Sequence, residues 1–270
     1  MPILIFFFVG SILSSCLSQV HVHENIRTAK KSFVKIEAYV AACDKEKSSC
    51  AHPKLFASGS GAVIRYKNKK AVLTAAHVCY LGKLEEKIKK DGGSVLMKIE
   101  DREGRKMDVQ VIKYNLYHDV CLLGAEGASL PALRMSVRAP VYGEKVYNIS
   151  APMGISEGEM VPIFNGLFMG LAGECAHYSI PTMGGASGSP ILNSRGELLG
   201  MIHSVHFRFH HMALSIVHKD LWNFIKDHQN DMDIYAKQNK NQAVKQVESK
   251  DQKEEEDPAT VRFFLKYLDY

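Results

Sequence analysis

The stretch Gly184-Gly185-Ala186-Ser187-Gly188-Ser189-Pro190 sets one serine between glycines, just ahead of the apolar pair Ile191 and Leu192. Glycine lets a backbone turn sharply at no steric cost. A serine hydroxyl is a poor nucleophile until a base takes its proton and donors receive the oxyanion that forms. A turn of this kind aims the N–H of Ser187 and that of Gly185 at one spot, which is what an oxyanion requires. Taken alone, the string is also what a tight turn between two strands looks like, so its reading rests on residues upstream.

Two upstream segments supply them. Val72-Leu73-Thr74-Ala75-Ala76-His77-Val78 is an apolar strand running into two alanines and then a histidine. Small side chains there leave room for an imidazole in a cleft wall with both nitrogens available. His118-Asp119-Val120-Cys121-Leu122-Leu123 puts an acid at the opening of another apolar run. A carboxylate buried at a strand tip is costly unless paired. An imidazole would pair it, and the acid would hold the tautomer and stabilise the imidazolium. Singly, a strand-end histidine is commonly structural and such an aspartate commonly a strand cap. Their order along the chain, His77, Asp119, Ser187, is harder to dismiss: it is that of chymotrypsin and not that of subtilisin or the α/β-hydrolases.

The intervening chain agrees. Residues 32–217 are short apolar or alternating runs separated by turn signals at Lys67-Asn68, residues 101–104, Gly143-Glu144 and residues 193–196. Many short strands at this spacing predict an all-β sandwich or barrel, not βαβ units. Helical periodicity is confined to residues 81–90, short and exposed, and 219–228, where Leu221, Trp222 and Ile225 share a face.

The 270 residues carry a net charge of +5 with both signs interspersed. No basic stripe interleaved with aromatics appears, which argues against a nucleic-acid partner. Residues 2–17 carry no charge and are too few for a membrane span, which takes about 20 apolar residues. They read as a signal peptide or lipoprotein signal over 1–18, with Leu13-Ser14-Ser15-Cys16 resembling a lipobox. This points to a secreted or periplasmic and cell-envelope protein that meets a membrane only through that lipid or signal anchor. A cytoplasmic protein with a misassigned start stays open beside it. Residues 19–30 read as an N-terminal extension, 31–230 as the folded domain and 231–270 as a charged tail with an apolar end. Apart from Cys16, the cysteines are Cys43, Cys50, Cys79, Cys121 and Cys175. Cys43 and Cys50 flank a polar loop and could pair in an oxidising compartment. Cys121 reads as a small buried hydrophobe. No zinc spacing is present, and the chemistry calls for no cofactor or metal. The histidines at 206, 210 and 211 read as a surface hairpin.

The segments 74–78, 118–123 and 185–200 (GASGSPILNSRGELLG) resemble the three signature segments of chymotrypsin-like serine peptidases, with the nearest look to HtrA-like enzymes and glutamyl endopeptidases. The resemblance extends over residues 30–230. It implies two antiparallel six-stranded β-barrels, a C-terminal helix, and a serine endopeptidase acting on protein or peptide substrates through an acyl-enzyme. His77, Asp119 and Ser187 would be the catalytic triad, and the N–H groups of Gly185 and Ser187 the oxyanion hole. Ala186 stands where zymogens of the family carry an aspartate, so no N-terminal activation is implied. Cys79 is one residue late for the disulfide of animal enzymes, and residues 59–61 hold no cysteine to meet it. The pocket for the residue before the scissile bond would involve Pro181, Thr182, His203 and Ser204. No acid lies near Pro181, which argues against cleavage after Lys or Arg. Thr182 matches the threonine of glutamyl endopeptidases, but His203 is one residue late, and without a bulge it would turn towards Asp119. Preference for Glu or Gln and preference for a small apolar residue both stay open. A non-catalytic binding protein on the same scaffold would be expected to have lost a triad member, and none is missing. An esterase of the common fold would carry the triad in another order.

Overall fold

In β1 (Phe33–Asp44) apolar and polar residues alternate from Val34 to Tyr39. Val34, Ile36 and Ala38 are at most 2% exposed, while Lys35, Glu37 and Tyr39 lie on the opposite face. That second face is held by ions: Glu37 accepts from the Tyr39 hydroxyl at 2.5 Å and from Lys106 at 2.7 Å, and Lys35 bridges Glu37 and Glu100. The computed structural model describes residues 21–44, 49–50, 52–125 and 127–227. The signal at 1–18, Cys16 and the tail at 231–270 lie outside them.

Around β1 are β2 (Ser49–Cys50), β3 (Lys54–Tyr66), β4 (Lys69–Thr74), β5 (Gly93–Asp101), β6 (Lys106–Asp108), β7 (Val111–Asn115) and β8 (Val120–Gly124). They form one antiparallel sheet in the order β6-β5-β1-β3-β4-β8-β7, with β2 added to β1, where Cys43 stands opposite Cys50. Residues 106–115, one run in the sequence, split into β6 and β7. β6 pairs with β5 and β7 with β8, and between them Val109 N–H donates to Met97 O while Gln110 O accepts from Gly124 N–H. The two ends of the sheet therefore meet in a single bent segment. Counted once, that segment makes six strands plus the short β2. At the β3–β4 turn Lys67 and Asn68 both have positive φ, the two-residue hairpin that matches strand twist.

The second half holds β9 (Lys145–Ile149), β10 (Ile163–Ala172), β11 (Cys175–Tyr178), β12 (Pro190–Leu192), β13 (Leu198–His206) and β14 (Phe209–Ile216). They close into a six-stranded barrel in the order β10-β11-β14-β13-β12-β9. Val146, Phe168, Tyr178, Ile180, Ile191, Leu199 and Ile202 fill it. Asn148 is buried among them, donating to Ser189 Oγ and Pro190 O, so the sequon Asn148-Ile149-Ser150 is a core feature. The linker stitches the halves together: Leu133 N–H donates to Val63 O, and Ser136 N–H to Leu198 O. This is the chymotrypsin-like all-β architecture that the sequence implied.

Helices are few. Residues 21–30 are helical (α1), which the extension reading missed; Ile26 and Ala29 are buried and Asn25 donates to Ser194 O. α2 (Ala76–Cys79) is a single turn, and α3 (Lys83–Lys90) and α4 (His218–Lys226) fall where the periodicity put them. The chain to Trp222 is one compact unit; from Asn223 a second begins, described only to residue 227. No helix among the described residues is long and apolar enough to cross a membrane. Ile191 is fully buried in the barrel. Ile191→Ala is expected to cost about 2–5 kcal/mol of unfolding free energy, read from urea denaturation; a loss below about 1 kcal/mol would contradict this packing.

Candidate active site

β4 ends at Thr74, and Ala75, extended at φ −76°, opens α2. Ala75 and Ala76 are fully buried, so the chain can turn against the sheet there and leave the His77 side chain half exposed. Thr74 pairs with Cys121 across β4 and β8, which brings the start of β8 beside this turn. Asp119 precedes β8 in the left-handed region, φ 49°. Both of its oxygens reach His77: Oδ2 lies 2.6 Å from Nδ1, and Oδ1 accepts the His77 backbone N–H at 2.9 Å. Burial works to raise the Asp119 carboxyl, but the hydrogen bonds and charge of His77 outweigh it and hold the group below its ordinary value. The group is thus an ionised acceptor, Nδ1 carries the hydrogen, and Nε2 is left as the basic nitrogen.

Residues 184–188 form the loop between Ile180 and β12. Gly185 has φ +89°, and a Cβ there would lie 2.6 Å from Ala151 O and 2.8 Å from Met153 N, so only glycine fits. Gly188, φ +88°, comes as close to Ser60 O and Thr74 Oγ1, setting the Ser187 loop against the strand that leads to His77. Every carbonyl from 184 to 187 has a donor: Met153 N–H on Gly184 at 2.7 Å, Ser60 Oγ on Gly185 at 2.8 Å, Ser189 N–H on Ala186 at 3.0 Å, and Ser60 N–H on Ser187 at 2.8 Å. Among the described residues the N–H groups of Gly185 and Ser187 donate to nothing.

Cys121 is buried, but it is not the free hydrophobe its apolar run suggested. It is disulfide-bonded to Cys79, Cα–Cα 6.6 Å, because α2 packs on β8 directly after His77. The bond joins the two segments carrying His77 and Asp119, two residues beyond each. Of the pocket residues, Thr182 is buried and donates its N–H to His210 O on β14, with the partly buried Pro181 beside it. β13 shifts register between Ile202 and Ser204, so a bulge does fall at His203. The His203 Nδ1 lies 3.0 Å from Ser204 Oγ and its Nε2 3.9 Å from the free Cys175 thiol. No group of three or more His, Cys, Asp or Glu among the described residues could hold a metal ion.

Two outcomes follow from this geometry. Replacing Cys79 and Cys121 by serine opens a loop spanning 42 residues of sequence. For closed loops of that order the unfolded-state effect is about 4 kcal/mol, so the melting temperature of the double variant should fall well below that of the wild type; an unchanged one would contradict the cross-link. Burial lowers the imidazoles of His118, His203 and His218 below their ordinary value. The unfolded chain then binds more protons than the folded one as pH falls through about 6.5. Their contribution is whole above that pH and is lost as pH drops through the folded-state values. The Asp119 contribution is whole above its ordinary range, about 3.9, and is lost below it. Melting temperature against pH should be flat above 7, decline from about 6.5, and decline further below about 4; a rise on acidification from 7 to 5 would contradict this.

Residues 59–201 match the family model of the trypsin-like peptidase domain. Among solved structures the chain is similar to a serine endoprotease from Yersinia pestis, with a TM-score of 0.57 and 17% identity, covering 75% of this chain and 64% of that one. The chain thus spans less than two thirds of that relative's length, and at this identity the likeness is one of fold. No curated protein sequence matches. The family match covers more than half of the chain, and the chain belongs to the trypsin-like peptidase domain family, with the fold of chymotrypsin-like serine proteases.

Proposed function

We propose that the protein is a serine endopeptidase whose triad is His77, Asp119 and Ser187. The observation that carries this reading is the two-point hold of Asp119 on His77, beside a glycine loop with two unpartnered N–H groups. Ser187 Oγ attacks the scissile carbonyl carbon while His77 Nε2 takes its proton. The carbonyl oxygen, now negative, accepts from the N–H groups of Gly185 and Ser187. As the tetrahedral intermediate collapses, the C–N bond breaks and the imidazolium gives its proton to the leaving amine. Water, giving its proton to His77, then attacks the acyl-Ser187 ester; the acyl C–Oγ bond breaks, Ser187 Oγ takes the proton back from the imidazolium, and the carboxylic acid leaves.

The reading needs no cofactor. Ala186 is buried where zymogens keep an aspartate, and the loop's carbonyls are held by Met153, Ser60 and Ser189 without a newly cut N-terminus. Activity without proteolytic activation is therefore part of the proposal. Substrates are proteins or peptides, and export directed by residues 1–18 is proposed with it. Selection of the residue before the scissile bond is assigned to Pro181, Thr182, His203 and Ser204, with the β13 bulge falling at His203.

Fluorophosphonate labelling with casein hydrolysis tests the reading. Wild type should be labelled and active as synthesised; Ser187→Ala and His77→Ala should lose labelling, and Asp119→Asn should lower kcat by about 10⁴. Folded wild type that is not labelled would point to a binding protein on this scaffold.

A further inference from the structure

Two backbone N–H groups in a glycine-rich loop stay aimed at one point only if something holds the peptides that carry them. In a planar trans peptide the C=O and the next N–H point to opposite sides, so an N–H is aimed by whatever holds the carbonyl before it. The Gly185 N–H is aimed by Gly184 C=O, which Met153 N–H receives at 2.7 Å; the Ser187 N–H is aimed by Ala186 C=O, held by Ser189 N–H. The peptide between these two has its Gly185 C=O held by Ser60 Oγ and its Ala186 N–H on Met183 O. Ser60 holds the loop a second time through its own N–H on Ser187 O.

Ser60 lies in β3 and is fully buried. Every polar group it has is used. Its hydroxyl donates to Gly185 O and accepts Ala151 N–H at 3.0 Å, and its carbonyl accepts from Thr74 Oγ1 at 2.9 Å. The Ala151 bond matters because Ala151 N-caps the turn Pro152–Gly154, whose Met153, φ 55°, donates to Gly184 O. One hydroxyl thus reaches the loop carbonyl directly and anchors the turn that holds the neighbouring carbonyl. A Cβ at Gly59 would come within 2.7 Å of Val78, next to His77, so the flanking residue also fixes how closely β3 approaches this site.

We infer that Ser60 is a positioning residue for the oxyanion hole: from a strand of the first sheet its hydroxyl holds Gly185 O, in the peptide between the two N–H groups, and through Ala151 N–H anchors the turn whose Met153 aims the Gly185 N–H. It touches no reacting atom. The inference rests on the serine-peptidase reading for its catalytic consequence, but not for its structural one.

The test compares wild type with Ser60→Ala, and with Ser136→Ala as a matched control. Ser136 is an equally buried serine whose hydroxyl bonds Arg138 O and Arg138 N–H, away from the loop. With p-nitrophenyl butyrate as substrate, Ser60→Ala should lower kcat by about 10- to 100-fold with KM little changed, a smaller loss than the 10²–10³ that follows removal of an oxyanion donor. Hydrogen exchange read by mass spectrometry should show the amides of Met153, Ala186, Gly188 and Ser189, each hydrogen-bonded in the wild type, exchanging faster relative to those of β3. Ser136→Ala should change neither. Wild-type exchange in this loop, or a kcat loss no larger than that of Ser136→Ala, would overturn the inference. If Ser60→Ala does not fold, Ser60→Cys, nearly isosteric but a weak donor, decides by the same exchange. A wild type that fails to hydrolyse the ester defeats the peptidase reading, while the loop exchange still judges Ser60.

Discussion

The rest of the site depends on one hydrogen-bonded pair. Asp119 reaches His77 at the ring and at the backbone, and for that the end of β4 must stand beside the start of β8. The register Thr74 to Cys121 does this, and the Cys79–Cys121 bond closes it two residues further on. An ionised carboxylate at partial burial is tolerable only because the imidazole and a backbone N–H satisfy it. Asp119 makes both contacts from a left-handed backbone, φ 49°.

The Ser187 half of the site is built differently. Its geometry lies in the main chain, and glycine is required at 185 and 188 because neighbouring backbone comes within 3 Å of where a side chain would begin. In such a loop only Ala186 has an apolar side chain to bury. Its carbonyls are fixed instead by donors from β3, from the turn at Pro152–Gly154 and from within. The two halves are therefore joined by hydrogen bonds, with Ser60 as the residue common to both.

Much of this could be read from the sequence. Alternation in residues 33–39, the Lys67-Asn68 turn and the apolar runs before His77 and after Asp119 have local causes that hold in the folded chain. The glycines around Ser187 announced a backbone need that positive φ at 185 and 188 makes explicit. Other features have no local signature. The run 106–115 looks like one strand and divides because its ends serve different partners. The helix at 21–30 buries only a narrow stripe that includes Ile26 and Ala29, too little to show as periodicity. Pairing of Cys79 with Cys121 depends on which strands are neighbours, and cysteine connectivity cannot be deduced from a sequence alone. Ser60, between Gly59 and Gly61, looks like any small residue in a strand until its four partners are seen.

The proposed role of Ser187 is tested most directly by where an acyl group lands. Mixing the protein with p-nitrophenyl acetate, quenching in acid and mapping peptides by mass spectrometry should place a single acetyl group on Ser187, absent from His77→Ala. An acetyl group found elsewhere, on Cys175 or a lysine, or none on a folded protein, would contradict it.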